Sequence, residues 1–146
     1  MYYDALIIGN GIAGSSAALF LAENSQRVLL VSKGQSFEET NTEKAQGGII
    51  YRGDNDSWKI LKQDIMNASD GSSLESSVKI LAKIGPSLVK RLFIQKLQVP
   101  FEKNNQGGWD LFQEAAHSRR RVLHVKDCTG KAIQKALHEG ILKEHL

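Results

Sequence analysis

The feature that most constrains this chain is a short apolar run, Tyr3 to Ile8, that breaks into Gly9-Asn10-Gly11-Ile12-Ala13-Gly14. A helix rich in small residues follows, and the composition places its start at Ser15. A strand feeding a G-x-G-x-x-G turn and a helix is a device for holding a pyrophosphate. The first glycine permits the tight turn, and the second lets the backbone approach the phosphates. The third lets helix and strand pack closely, while the positive end of the helix faces the anion. The glycine spacing is weak evidence alone; a preceding strand and a following helix give it meaning.

The run Arg27 to Ser32 is continuous, apolar and β-rich, and reads as a second, fully buried parallel strand closing a βαβ unit over 3–33. In a dinucleotide fold the end of that strand usually carries an acid for the adenosine ribose. Here Ser32 and Lys33 stand there, which argues against an ordinary NAD site and leaves the ribose to a hydroxyl or an ammonium. A polar loop, Gly34 to Lys44, leads to Ala45-Gln46-Gly47-Gly48 and the β-like Ile49-Ile50-Tyr51. Adjacent glycines there imply a close backbone approach to something flat or bulky.

Three helical patterns follow. Trp58, Leu61, Ile65 and Ala68 share one face behind an N-cap at Asp56 or Ser57. Leu74, Val78, Leu81 and Ala82 repeat the spacing up to Gly85, and Pro86 opens a third helix carrying Val89, Leu92 and Phe93. These stripes are core. Arg121 to Val125 reads as a strand, and Asp127 or Thr129 as the cap of a last helix that holds Ile133, Ala136 and Leu137 and stops at Gly140.

With 146 residues, 41% hydrophobic and 24% charged, the chain reads as an ordinary soluble globular domain. Its opening apolar stretch is too short to span a membrane, and no basic leader precedes it, so the expected location is cytoplasmic. One cysteine, Cys128, excludes an internal disulfide and a cysteine-rich metal site; core packing is its expected role, and no metal is expected. The net charge of +3 is dispersed apart from Arg119-Arg120-Arg121, so no nucleic-acid partner is expected. That arginine run is assigned to steering an anion, docking another domain, or a solvated or packing role.

Three separated pieces line up: G-x-G-x-x-G at 9–14, Ser32-Lys33 followed by A-Q-G-G at 45–48, and E-x-x-H-S-x-R-R-x-x-H-x-x-D-x-T-G across 114–130. Together they resemble the succinate dehydrogenase/fumarate reductase flavoprotein family, and within it the branch that oxidises L-aspartate. The resemblance implies an α/β, Rossmann-like FAD-binding domain with a parallel sheet, incomplete in this chain. It divides the chain into the βαβ unit at 3–33, a flavin loop at 41–48, a helical segment at 56–97 and a substrate-side segment at 109–130. The rest of the FAD domain, a capping domain and a C-terminal helical domain are expected to be absent, and the chain by itself is expected to show no turnover and to self-associate or bind FAD weakly.

By matching position the resemblance sets Gly9, Asn10, Gly11, Ile12, Ala13 and Gly14 at the pyrophosphate and Ser32 and Lys33 at the adenosine end. Asn41, Thr42, Glu43, Lys44, Ala45, Gln46, Gly47 and Gly48 would wrap the ribityl chain and the isoalloxazine. Asn41 occupies the place of the flavin-linked histidine of covalent members. An amide cannot make that bond, so the FAD is expected to be non-covalent. Glu114 matches the glutamate that orients L-aspartate through its amino group; an anionic acceptor suits an ammonium and repels succinate.

The implied reaction is oxidation of L-aspartate to iminoaspartate, the first step of de novo NAD biosynthesis, with oxygen or fumarate as acceptor and a quinolinate synthase downstream. The alternatives are a non-covalent fumarate reductase or succinate-oxidising relative, and an FAD-binding fragment without catalysis. Ser32-Lys33 disfavours a plain NAD module. His117 and His124, within the motif, are expected to be buried and bonded to backbone carbonyls; His138 and His145 are expected on the surface. Gln113-Glu114-Ala115-Ala116 stands where relatives carry Arg-Glu-Gly-Gly, which alters the loop around Glu114.

Overall fold

A computed structural model describes residues 2–144. These divide into two compact units, one comprising 2–47, 97–100 and 127–144, the other 48–96 and 101–126.

The first unit is an α/β layer. β1 (Ala5–Ile8) and β2 (Val28–Val31) pair in parallel, Ala5 opposite Val28 and Ile8 opposite Val31. Between them runs α1 (Ile12–Glu23), whose Ser15, Ala18 and Leu19 are buried. It packs against α5 (Thr129–Lys143), where Ile133, Leu137 and Ile141 recur every four residues along one buried face. α5 runs through Gly140 instead of stopping there, because Gly140 is a packing residue. A Cβ on it would lie 2.8 Å from Leu97 Cδ2 and 3.5 Å from Leu19 Cδ1. The second strand is not fully buried as its apolar run implies. Val28 is enclosed, whereas Leu29 and Val31, like Leu6 and Ile8 of β1, are exposed. Within this unit α1 lies against the two strands from one side, so alternate residues face out.

The second unit sets two helices beside a small antiparallel sheet. β3 (Ile49–Ile50), β5 (Val122–Leu123) and β4 (Leu111–Phe112) lie in the order β3-β5-β4. The A-Q-G-G element enters β3 through Gly48, whose missing Cβ would fall 2.2 Å from Val122 Cγ1 and 2.4 Å from the Leu123 carbonyl oxygen. The close approach expected at this glycine is therefore made, in part, by β5. α3 (Trp58–Ala68) starts behind Ser57, whose hydroxyl accepts the Ile60 N–H at 3.3 Å.

α4 (Glu75–Val89) is one helix where sequence patterning implies two. Pro86 lies inside it and contributes no N–H to the ladder. The helix nonetheless persists, because Val78, Ala82, Pro86, Val89 and Phe93 form one continuous buried stripe across the proline. The Ser87 hydroxyl donates to the Ile84 carbonyl at 2.7 Å, and the ladder then widens into a π-helical turn at Lys90–Lys96. Leu74, the N-cap, and Leu81, expected in the core, are 69% and 52% exposed, since the buried stripe is centred about a quarter turn away around the helix. No helix among the described residues is long and apolar enough to cross a membrane.

Candidate functional site

The glycine turn joins β1 to α1 in a way that only glycine allows at two places. Gly9 has φ +104°, in the positive-φ region that favours glycine. A Cβ on Gly14 would sit 1.8 Å from the Gly9 carbonyl oxygen and 3.2 Å from Ile7 Cγ2, so the turn folds back onto its own helix. Because of that fold-back, α1 starts at Ile12 rather than at Ser15, and its first i→i−4 bond is Ser15 N–H to the Gly11 carbonyl at 2.9 Å. Gly11 is the N-cap and has no side chain to offer; the first turn carries no acidic residue. The positive end of the helix is thus left for an anion from elsewhere. One donor is already engaged: Ile12 N–H bonds Thr42 Oγ1 at 2.9 Å.

Asn10 is 4% exposed, and its side chain serves the scaffold. Nδ2 donates to the Phe37 carbonyl at 2.7 Å, and Oδ1 accepts from the Ser32 hydroxyl at 2.8 Å. The end of β2 is thereby tied to the glycine turn. Lys33 is exposed beside it. Asn41–Lys44 form a single helical turn, α2, capped by Thr40 Oγ1 on the Glu43 N–H at 3.0 Å. Asn41 and Lys44 through Gly48 are exposed; Thr42 and Glu43 are half-buried.

α5 completes this unit from far along the chain. Gly130 N–H bonds the Ala45 carbonyl at 2.9 Å, and a Cβ there would lie 1.9 Å from the Thr42 carbonyl oxygen. One turn on, the wholly buried Gln134 donates through Nε2 to the carbonyls of Asn10 at 2.9 Å and Phe37 at 3.1 Å. Its Oε1 is buried with no hydrogen-bond partner among the described residues. His138 stacks on Phe37 at 4.3 Å and lines, with Asn10, Ser32, Gln35 and Leu142, a groove of about 310 Å³ beyond the end of β2. His138 is therefore not a plain surface residue. His145 lies outside the described residues.

The second unit holds Glu114 on an exposed turn, closed by His117 N–H to the Glu114 carbonyl at 3.0 Å. Beneath it lies a buried charge cluster that sequence patterning misses. Arg121 is wholly buried, and binds Asp56 through Nε and Nη2 at 2.9 Å each and Asp64 through Nη1 at 2.6 Å. Asp64 Oδ2 also accepts the Ser118 backbone N–H at 3.0 Å and hydroxyl at 2.9 Å. Arg119 and Arg120 are exposed, so of the three arginines only the last packs. His117 and His124 are half-buried and face side chains: His117 Nδ1 lies 2.8 Å from Arg121 Nη1, while His124 Nε2 lies 3.5 Å from Asp110 and has no hydrogen-bond partner among the described residues. Glu102, Asp110 and His124 present ligand atoms within 4.8 Å of one another, a grouping that their sequence spacing does not disclose. Cys128 is exposed, not core, and is the N-cap of α5 without a side-chain capping bond. Neither Asp127 nor Thr129 is the cap; Thr129 is the buried first residue of the helix.

Burial alone pushes the Asp64 carboxyl up, but the Ser118 N–H, the Arg121 guanidinium and the Ser118 hydroxyl outweigh it and hold Asp64 below the usual aspartate range. Burial likewise pulls Arg121 down, and the carboxylates of Asp56 and Asp64 more than reverse this. In the window between Asp64's lowered folded value and its ordinary one near 3.8, the unfolded chain binds more protons than the folded chain. The contribution of Asp64 is therefore complete above that window and lost as pH falls through it. Urea melts from pH 6 down to pH 3 are expected to show stability falling below about pH 4. In Asp64→Asn this acid slope is expected to be shallower than in the wild type; equal slopes in both proteins would contradict the assignment.

A parallel βαβ unit, a glycine turn and an uncapped helix start define a nucleotide-binding α/β protein of the dinucleotide class. The FAD_binding_2 family, described as FAD binding domain, matches residues 4–146, and the chain belongs to that family. FAD is accordingly its cofactor. The chain is similar to the L-aspartate oxidase of Halobacterium salinarum, 38% identical over 130 residues that cover 89% of this chain and 25% of the relative. It is also similar to that of Agrobacterium fabrum, 37% identical over 138 residues, covering 93% and 26%. Among solved structures, the apo Mycobacterium smegmatis Sdh1 complex superposes with a TM-score of 0.87 at 27% identity, over 97% of this chain and 24% of that one. The open form of a flavocytochrome c3 fumarate reductase, at 20% identity and TM-score 0.85, shares the fold. The chain thus spans about a quarter of the length of these relatives. The residues present fit FAD: the bare Gly11 cap and the first turn without an acid suit a pyrophosphate.

Proposed function

We propose that this chain contributes the FAD-binding and part of the substrate-binding apparatus of an oxidoreductase that converts L-aspartate to iminoaspartate, with oxygen or fumarate as the final acceptor. The observation that carries the reading is the Gly9–Gly14 turn running into the uncapped start of α1. The choice of L-aspartate is supported by the likeness to the L-aspartate oxidases, which reaches across most of this chain.

When bound, FAD accepts the hydride that leaves the substrate α-carbon. The protein's residues do the rest. Gly11, Ile12, Ala13 and Gly14 bring backbone to the pyrophosphate, and Gly9 and Asn10 hold the turn open behind them. Ser32 and Lys33 serve the adenosine end, where Lys33 offers an ammonium and Ser32 positions Asn10. Asn41, Thr42, Glu43, Lys44, Ala45, Gln46, Gly47 and Gly48 flank the flavin side of the cofactor, and the Asn41 amide leaves the flavin dissociable. Glu114 takes the substrate ammonium, a contact that succinate cannot make and that would repel its carboxylates.

In an anaerobic mixing experiment on this chain extended by the segments its longer relatives carry, the FAD-loaded protein is expected to lose its oxidised-flavin absorbance on adding L-aspartate and to keep it on adding succinate. Glu114→Gln is expected to raise the half-saturating L-aspartate concentration at least about tenfold, the loss of one bond between charged groups. Bleaching by succinate but not by L-aspartate would replace this reading with the succinate-oxidising one.

A further inference from the structure

We propose that Asp64, acting through Ser118 and the Arg121–His117 contact, is a positioning residue that presets the Glu114 turn. The proposal rests on the reading of Glu114 as the acceptor of the substrate ammonium.

Gln113 through Ala116 are exposed, and two alanines, with no unusual conformational freedom, occupy the tip of the turn. What anchors this segment is on its C-terminal side. The Glu114 carbonyl is held by His117 N–H; the His117 ring is held by Arg121; Ser118 is held twice by one oxygen of Asp64. That oxygen, Oδ2, receives three donors, from Ser118 N, Ser118 Oγ and Arg121 Nη1. Arg121 is in turn clamped by both oxygens of Asp56. From Glu114 to the middle of α3 there is thus an unbroken series of hydrogen bonds.

Stability does not account for this arrangement. A carboxylate buried on the inner face of a helix has to be desolvated, and apolar replacements of buried ion pairs are commonly neutral or stabilising. What a charged cluster provides that leucines would not is direction. It fixes where one backbone N–H, one hydroxyl and one imidazole must lie, and so where an exposed turn is set down.

Hydrogen exchange and flavin reduction, both on the same extended FAD-loaded protein, test this together. In Ser118→Ala, which keeps the Arg121 cluster intact, exchange at the His117 amide is expected to accelerate about tenfold while the Leu123 amide in β5 is unchanged. Unchanged exchange at His117 overturns the proposal whatever the substrate is. In the same variant the half-saturating L-aspartate concentration is expected to rise about tenfold at an unchanged limiting rate, with Ser118→Thr restoring it. Placed on Glu114→Gln, Ser118→Ala is expected to add nothing, because both changes remove one interaction. An equal further rise in that background marks Ser118 as merely structural and overturns the proposal. If L-aspartate does not reduce the wild-type flavin, or Glu114→Gln alone has no effect, the substrate reading fails, and the exchange arm by itself decides whether the turn is preset.

Discussion

Replacing Arg121 with methionine is expected to cost about 3–5 kcal/mol of folding stability, the range for removing one partner of a buried ion pair. Methionine fills the volume but leaves Asp56 and Asp64, both desolvated, without a counter-charge. Against the roughly 5–15 kcal/mol that separates typical folded and unfolded chains, this is a large fraction. The melting temperature is expected to fall by on the order of 10 °C for a chain of this size. Arg121→Lys is expected to recover only part of the loss, since an ammonium cannot serve Asp56 through two nitrogens and Asp64 through a third. Chemical denaturation of the three proteins measures the effect, and an Arg121→Met protein within 1 kcal/mol of wild type, about the median effect of an arbitrary substitution, would show that Asp56 and Asp64 are not left as uncompensated buried charges.

Gly14→Ala is expected to reduce FAD affinity by more than about a hundredfold, because the added methyl cannot be accommodated by moving a side chain. Its nearest obstacle is the Gly9 carbonyl oxygen, and displacing that atom opens the turn proposed to address the pyrophosphate. Gly11→Ala separates packing from ligand approach. There the new Cβ meets only Thr42 Oγ1, at 3.3 Å, so the fold should survive with its melting temperature nearly unchanged while FAD binding weakens. Flavin-fluorescence titration together with thermal melts distinguishes the two. Full FAD affinity in Gly14→Ala would mean that the glycine turn does not carry the cofactor.

The parts legible in the sequence are those whose signals are local. The glycine turn and the Ser57 cap of α3 each depend on residues within a few positions of one another, and β1 and β2, though they pair at a distance, are each marked by their own short apolar run. The rest depends on partners that no window contains. Pro86 normally starts or stops a helix, but a buried stripe from Val78 to Phe93 overrides that preference. Arg121 resembles its exposed neighbours in every respect except that Asp56 and Asp64 lie across from it. Gly140 and Gly130 look like punctuation, yet both are close-approach sites inside α5. Cys128, expected in the core because no histidine or basic cluster in the sequence marks it as a nucleophile, is turned to the surface by the start of α5. In the site, the glycine pattern disclosed the turn but not what braces it. Gln134, separated from Asn10 by 124 positions, carries no motif of its own.

The bracing by α5 has a consequence for synthesis. The glycine turn and β2 are made within the first 31 residues, but the atoms that bind Ala45, Asn10 and Phe37 in place come from Gly130 and Gln134. A nascent chain emerging from the ribosome can pair β1 with β2 early, while the turn behind them stays unbraced until α5 has left the exit tunnel. Cofactor capture therefore waits until α5 has emerged, and a premature stop before α5 would release a polypeptide that carries the dinucleotide motif but lacks the helix that holds it in shape.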